Sequence, residues 1–207
     1  MNLSKINRIW PKIGGLLSII ILAIMIWSIE VRKPYLLSWL YWLHLPLLLI
    51  HEFEEYVYPG EFKHFFSTDT VLSPSNPKEN PILSEKMIFF INIGIWVLII
   101  ISASLAKIVP WFGLIFVIFE LVNVVGHGGI FQINSKGYNP GLLSAVFLLL
   151  PYTISVLWIG IGQNFLGTLD VILGIVFGLI LGASMPLSVK LKKKKQKDTS
   201  SKNLSLD

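Results

Sequence analysis

Apolar residues in this chain fall into blocks of 17 to 26, separated by short polar joints. Each block is long enough to cross about 30 Å of hydrocarbon as a helix rising 1.5 Å per residue. Six such blocks are predicted to span a bilayer: residues 13–29, 35–58 (with Pro46 inside), 87–106, 108–133, 141–160 and 171–189. The first follows Lys5, Arg8 and Lys12. Its core is long for a signal peptide and no small-residue cleavage site follows it, so an uncleaved helix is expected. The joint at Lys107 must be a tight hairpin, and Pro110 suits the first turn of the helix after it.

The fold class expected is therefore all-α, a polytopic transmembrane helix bundle of about six spans. Residues 1–189 form the membrane domain, with a polar loop at 59–86 whose Pro59, Pro74, Pro77 and Pro81 favour turns. Its Phe62, Phe65 and Phe66 are expected at the membrane interface, and His64 on an exposed loop. Residues 190–207 are a basic tail, expected to be disordered. No internal repeat is evident, which disfavours repeat-built transporter folds.

Composition agrees. Hydrophobic residues make up 54% of the 207 and charged residues 14%, against about 25% charged in soluble domains. There is no cysteine, hence no thiolate ligand or thiol nucleophile. The net charge of +5 does not indicate nucleic acid, because seven of the 17 basic residues lie between Lys190 and Lys202, where a tail beside anionic lipid accounts for them. With six spans and both termini cytoplasmic, the cytoplasmic side collects Lys5, Arg8, Lys12, Lys63, Lys78, Lys86, Lys136 and the tail lysines. The outside holds Arg32, Lys33 and Lys107. Fourteen against three sets the orientation, and a bacterial-type plasma membrane is the expected location.

Two spans are not clean hydrocarbon. One ends in His51-Glu52-Phe53-Glu54-Glu55, and another carries Glu120, Asn123 and His127. At about 100° per residue, His44, His51, Glu54 and Glu55 share one helix face, and so do Glu120, Asn123 and His127. Glu52 projects about 100° from His51 and is expected to be solvated or to face headgroups. Both polar stripes fall in the cytoplasmic half of their spans, level with Asn92 and Ser144. Carboxylates in hydrocarbon cost about 2.5–3.5 kcal/mol each on insertion scales, and no Lys or Arg lies in these cores to pair with them.

Imidazoles beside carboxylates on facing helices suit a divalent transition metal such as Zn, Mn or Fe. The ligands expected are His51, Glu54, Glu55, Glu120 and His127, with His44, Asn92 and Asn123 around them. Three carboxylates exceed the charge of one divalent ion, so one is protonated or a second metal is present. Glu54 or Glu55 would then serve as general base, and the function expected is a metal-dependent enzyme, hydrolase- or oxygenase-like, acting on a lipid-like or apolar molecule entering from the bilayer. Two other readings compete: a cation- or proton-coupled transporter, and a noncatalytic interaction protein whose polar cluster locks helix packing. Gly174, Gly178 and Gly182 form a stripe for close helix approach, within the chain or across a homodimer.

The string His51-x-x-Glu54-Glu55 at a membrane helix end resembles the signature of the HXXEE-motif membrane proteins, a family without established function. Asn123-x-x-x-His127 and Tyr138-Asn139-Pro140-Gly141 resemble its second conserved region, so that the likeness runs over residues 42–152. It implies a multi-pass membrane protein with its site at these residues, and implies no reaction.

Overall fold

A computed structural model describes residues 3–28, 36–73, 83–133, 135 and 137–204, with the backbone alone at 185, 190 and 192–204. Among these residues there are helices and no strand. Six helical segments are long and apolar enough to cross a membrane: Leu3–Trp27, Leu36–Tyr56, Glu85–Leu105, Pro110–Gln132, Leu142–Gly162 and Thr168–Val189. They match the six predicted blocks, and the chain is an integral membrane protein. Large apolar side chains such as Ile19, Trp27, Phe147 and Trp158 stand exposed on the outside of the bundle, as a lipid-facing surface requires. Of the basic residues used to orient the chain, Arg32, Lys33, Lys78 and Lys136 lie outside the described residues, as do Pro74, Pro77 and Pro81.

We label the helices α1 (Leu3–Asn7), α2 (Trp10–Trp27), α3 (Leu36–Tyr56), α4 (Phe62–Thr68), α5 (Glu85–Leu105), α6 (Pro110–Gly128), α7 (Leu142–Ser144), α8 (Leu150–Gly162) and α9 (Thr168–Leu204). Helix α5 starts where the Ser84 hydroxyl accepts a hydrogen bond from the Met87 amide, the usual N-terminal cap. It ends at Leu105, whose carbonyl takes the amides of Ile108 and Val109. Pro110 then opens α6, so the hairpin expected at Lys107 is present. Between α7 and α8 the chain widens into a π-helical turn over Ala145–Leu149. Pro151, which has no amide to offer the carbonyl four residues back, follows directly.

Helix α3 is the axis of the bundle. On one side α2 lies close: a Cβ on Gly15 would come within 2.4 Å of the Phe53 ring. On the other side α6 touches it at Gly113, where a Cβ would stand 2.1 Å from the Tyr41 ring, and the Tyr41 hydroxyl donates to the Pro110 carbonyl at 2.8 Å. Helix α9 in turn lies on α6. A Cβ on Gly174, Gly178 or Gly182 would meet Leu114, Ile118 or Val122 at 2.5 to 2.8 Å. The glycine stripe is thus packed against α6 of its own chain, the first of the two readings offered for it.

Two further expectations change. Phe62, Phe65 and Phe66 are buried, not interfacial: they form the inner face of α4 and pack with Trp10, Leu83 and Ile88. His64 is exposed as expected, but on that helix rather than on a loop. The backbone of α9 is helical to Leu204.

Candidate metal centre

The polar faces of α3 and α6 meet in three successive pairs. His44 Nε2 lies 3.2 Å from Glu120 Oε1. About two turns further along α3, His51 Nε2 accepts from the Asn123 amide nitrogen at 3.0 Å. Beyond it Glu55 Oε1 lies 3.2 Å from His127 Nε2. Residue numbers rise together along both helices, so the two run parallel, as alternate spans of an up-and-down bundle must. His44, His51, Glu120 and His127 are each no more than 2% exposed.

One of these groupings has the form of a metal site. Single ligand atoms from His51, Glu55 and His127 all lie within 4.8 Å of one another. Glu55 Oε1 is 3.7 Å from His51 Nε2 and 3.2 Å from His127 Nε2. Ligands about 2.0–2.2 Å from a tetrahedral ion stand roughly 3.3–3.6 Å apart, so these spacings need little adjustment to close on one.

Partners on the far side of each ring fix which nitrogen faces the site. The Asn139 amide nitrogen donates to the His127 carbonyl at 2.9 Å, which turns its Oδ1 toward His127 Nδ1 at 3.0 Å. Nδ1 must therefore be a donor, which in the neutral ring leaves the lone pair on Nε2. The Ser144 hydroxyl has acceptors at Glu54 and the Gly141 carbonyl for its one proton. It therefore accepts from His51 Nδ1 at 2.9 Å, and His51 too presents Nε2. This is how metal-binding histidines are ordinarily held. His127 Nε2 makes no hydrogen bond despite its full burial, a condition that proteins rarely leave uncompensated.

Gly141 closes the site from the side. Its φ of +97° is strained for any residue with a side chain, and a Cβ there would lie 2.6 Å from His127 Cε1, 2.8 Å from His51 Cε1 and 3.0 Å from Glu55 Cγ. Phe62 and Phe131 cover His127 with ring centroids 5.3 and 5.2 Å away.

The other expected ligands are placed elsewhere. Glu54 turns away from the centre to the start of α7. It accepts from the Ser144 amide at 2.7 Å, the Leu143 amide at 3.1 Å, and the Ser144 and Tyr138 hydroxyls. A carboxylate at a helix N-terminus takes the free amides and the positive end of the dipole, so its oxygens are fully engaged. Glu120 pairs with His44 and reaches Asn123 only at 3.4 Å, outside the three-ligand group. Asn92 bonds the Ile88 carbonyl and, at 3.5 Å, the Tyr56 hydroxyl. It lines a cavity of about 90 Å³ that also reaches His51, Glu52, Glu55 and Asn123.

Glu52 reverses its expected position. It is 1% exposed, and its Oε2 accepts from the Trp96 indole at 2.6 Å while Oε1 has no partner. The helical angle was sound; what it missed is that α5 covers that side of α3, so the direction away from His51 leads to Trp96 and not to water. Residues of the site not singled out as candidates are Gly141, Asn139 and Tyr138, although the whole Tyr138–Gly141 stretch stands in the motif's second region.

A family model described as a protein of unknown function with HXXEE motif matches residues 42–156. The chain belongs to this HXXEE-motif family. The matched region takes in α3, α6 and α7, hence His51, Glu54 and Glu55 of the HXXEE motif as well as Asn123, His127 and Gly141. Within the motif the residues divide their work: His51 and the second glutamate face the centre, and the first glutamate, Glu54, anchors the helix that brings Gly141 against it. Neither a curated protein nor a solved structure matches the chain.

Proposed function

We propose that this chain is a membrane-embedded, metal-dependent enzyme acting on an apolar or lipid-like molecule, with its site toward the cytoplasmic side of a bacterial-type plasma membrane. The observation that carries the proposal is the convergence of two imidazole Nε2 atoms and one carboxylate oxygen from two spans, each imidazole oriented from behind, in a buried part of the bundle; an ion there would take the place of the Asn123 amide at His51 Nε2. Two histidines and a carboxylate with open positions are the donor set of zinc hydrolases and of non-haem iron oxygenases. The Lys/Arg excess of 14 against three supports the orientation.

A divalent ion held there supplies Lewis acidity and lowers the pKa of water in its open position. The chain's own groups do the rest. Asn139 and Ser144 hold the two imidazoles in register. Glu52 and Asn92 line the small cavity beside Glu55, and the unpartnered Glu52 Oε1 is an acceptor for a hydroxyl or amide of the bound molecule. A second cavity of about 280 Å³, lined by Phe66, Val122, Ile130 and other apolar groups, shares Phe119, Asn123 and Phe131 with the first. Its walls suit hydrocarbon, so a molecule with a polar end at the ligands and an apolar tail between α4, α6 and α9 fits both.

The test is elemental analysis of protein purified in mild detergent without chelator. Wild type is expected to retain a transition metal that His51→Ala and His127→Ala both lose. Wild-type metal content no higher than that of the two variants overturns the proposal.

A further inference from the structure

Once His51, Glu55 and His127 are assigned to one ion, the bundle still holds a second group of buried polar atoms that make no hydrogen bond. His44 Nε2 and Glu120 Oε1 lie 3.2 Å apart, yet neither is aligned for a hydrogen bond with the other or with anything else described. The Tyr152 ring lies against the same imidazole, with centroids 5.1 Å apart, and its hydroxyl is also buried without a partner. The three residues are 2%, 0% and 4% exposed. A buried polar group without a partner costs about 1–3 kcal/mol, so His44 and Glu120, with a third such group on the neighbouring Tyr152, mark a place where something binds.

We infer that His44 and Glu120, with Tyr152 beside them, hold a second divalent transition-metal ion next to the first. The inference rests on the first site being a metal site. The spacing of 3.2 Å between Nε2 and Oε1 is close to that of two ligands sharing an ion at about 2.0–2.2 Å. Asn123 stands between the two groups, 3.0 Å from His51 Nε2 and 3.4 Å from Glu120 Oε2, so the sites adjoin. Charge points the same way. Glu52, Glu54, Glu55 and Glu120 are all buried, and no Lys or Arg is buried among the described residues to balance them. Glu54 is satisfied by amides and hydroxyls; the other three, if ionised, exceed the charge of one divalent ion.

The experiment counts ions in full-length protein in detergent, loaded with Mn(II) and desalted, and reads the electron paramagnetic resonance of the same samples. Wild type is expected to carry two equivalents, with the six-line spectrum broadened by the neighbouring ion. His44→Gln and Glu120→Gln are expected to carry one, with the six-line spectrum of an isolated ion. One equivalent and an isolated-ion spectrum in wild type overturns the second site and leaves the first standing, and because it is read on wild type it holds even if the variants misfold. Two equivalents retained by folded His44→Gln and Glu120→Gln also overturns it. No bound manganese in wild type, together with no native metal, removes both.

Discussion

His127 Nε2 and Glu55 Oε1 face each other across two spans at 3.2 Å, and no hydrogen bond joins them. Asn139 has claimed the ring proton at Nδ1, so what Glu55 meets is a lone pair. With the ring neutral, two electron-rich atoms this close in a low-dielectric interior repel unless a proton or a metal ion lies between them. That contact is the physical core of the metal reading, and the residues that create it can be varied one at a time.

Asn139→Ala removes the group that orients His127 without touching a ligand. Metal affinity is expected to fall by about 10–100-fold, the usual cost of losing such a partner, while Asn139→Asp, which restores an acceptor for Nδ1–H, recovers most of it. Competition against a chelator of known affinity measures both.

Gly141→Ala places a methyl where His127, His51 and Glu55 converge and forces a side chain onto a φ of +97°. Backbone strain alone costs about 1–3 kcal/mol. A lower Tm is expected, together with loss of metal, whereas Gly137→Ala, with open space around its Cβ position, is expected to change neither.

Glu54→Gln distinguishes a ligand from an anchor. The amide cannot accept at both oxygens, and the start of α7 loses its carboxylate; a fall of about 1–2 kcal/mol in stability is expected from the lost charge-assisted bonds. Metal stoichiometry is expected to stay at the wild-type value. Loss of metal from a variant whose Tm is unchanged counts against the anchoring role.

Tyr138 lies outside the spans, and burial, with the Glu54 carboxylate accepting its proton, raises its phenol well above the ordinary tyrosine range. A raised folded pKa means that its contribution to stability is complete below about pH 10, the unfolded value, and is lost as pH rises through the folded one. Alkaline absorbance titration of wild type against Tyr138→Phe is expected to show one phenol missing from the late-ionising group and none from the ordinary one.

Gly178→Leu tests the seam between α6 and α9. Its Cβ would lie 2.6 Å from Ile118 Cβ and 2.8 Å from the Ile115 carbonyl, backbone that cannot yield cheaply. Overpacking costs about 1–3 kcal/mol or more. Reduced resistance to unfolding in denaturing detergent is expected, with no change in oligomeric state by light scattering.

The spans were legible in the sequence because hydrocarbon imposes a minimum apolar length, and each of the six blocks meets it. The shared faces of His44 with His51 and of Glu120 with His127 were legible too, since helical angle alone decides them. What lay beyond reach was the partition among the acids. Angle puts Glu54 and Glu55 on one stripe, but only the return of the chain at 138–144 shows that Glu54 is taken by the amides of Leu143 and Ser144. Glu52 was misjudged for the same reason: its neighbour, Trp96, is 44 residues away in sequence. The pairing of Glu120 with His44 and not with His51 depends on the relative height of two spans, which periodicity within either one does not specify.

That relative height bears on how the bundle assembles. Lipid tails are as apolar as leucine, so one vertical offset between two greasy helices is worth nearly as much as another. The three contacts between α3 and α6 remove that indifference, because sliding either helix by a single residue, about 1.5 Å, would misalign all of them together. The seam works as a vernier: the atoms that gather a cation also tell two otherwise slippery rods where to stop.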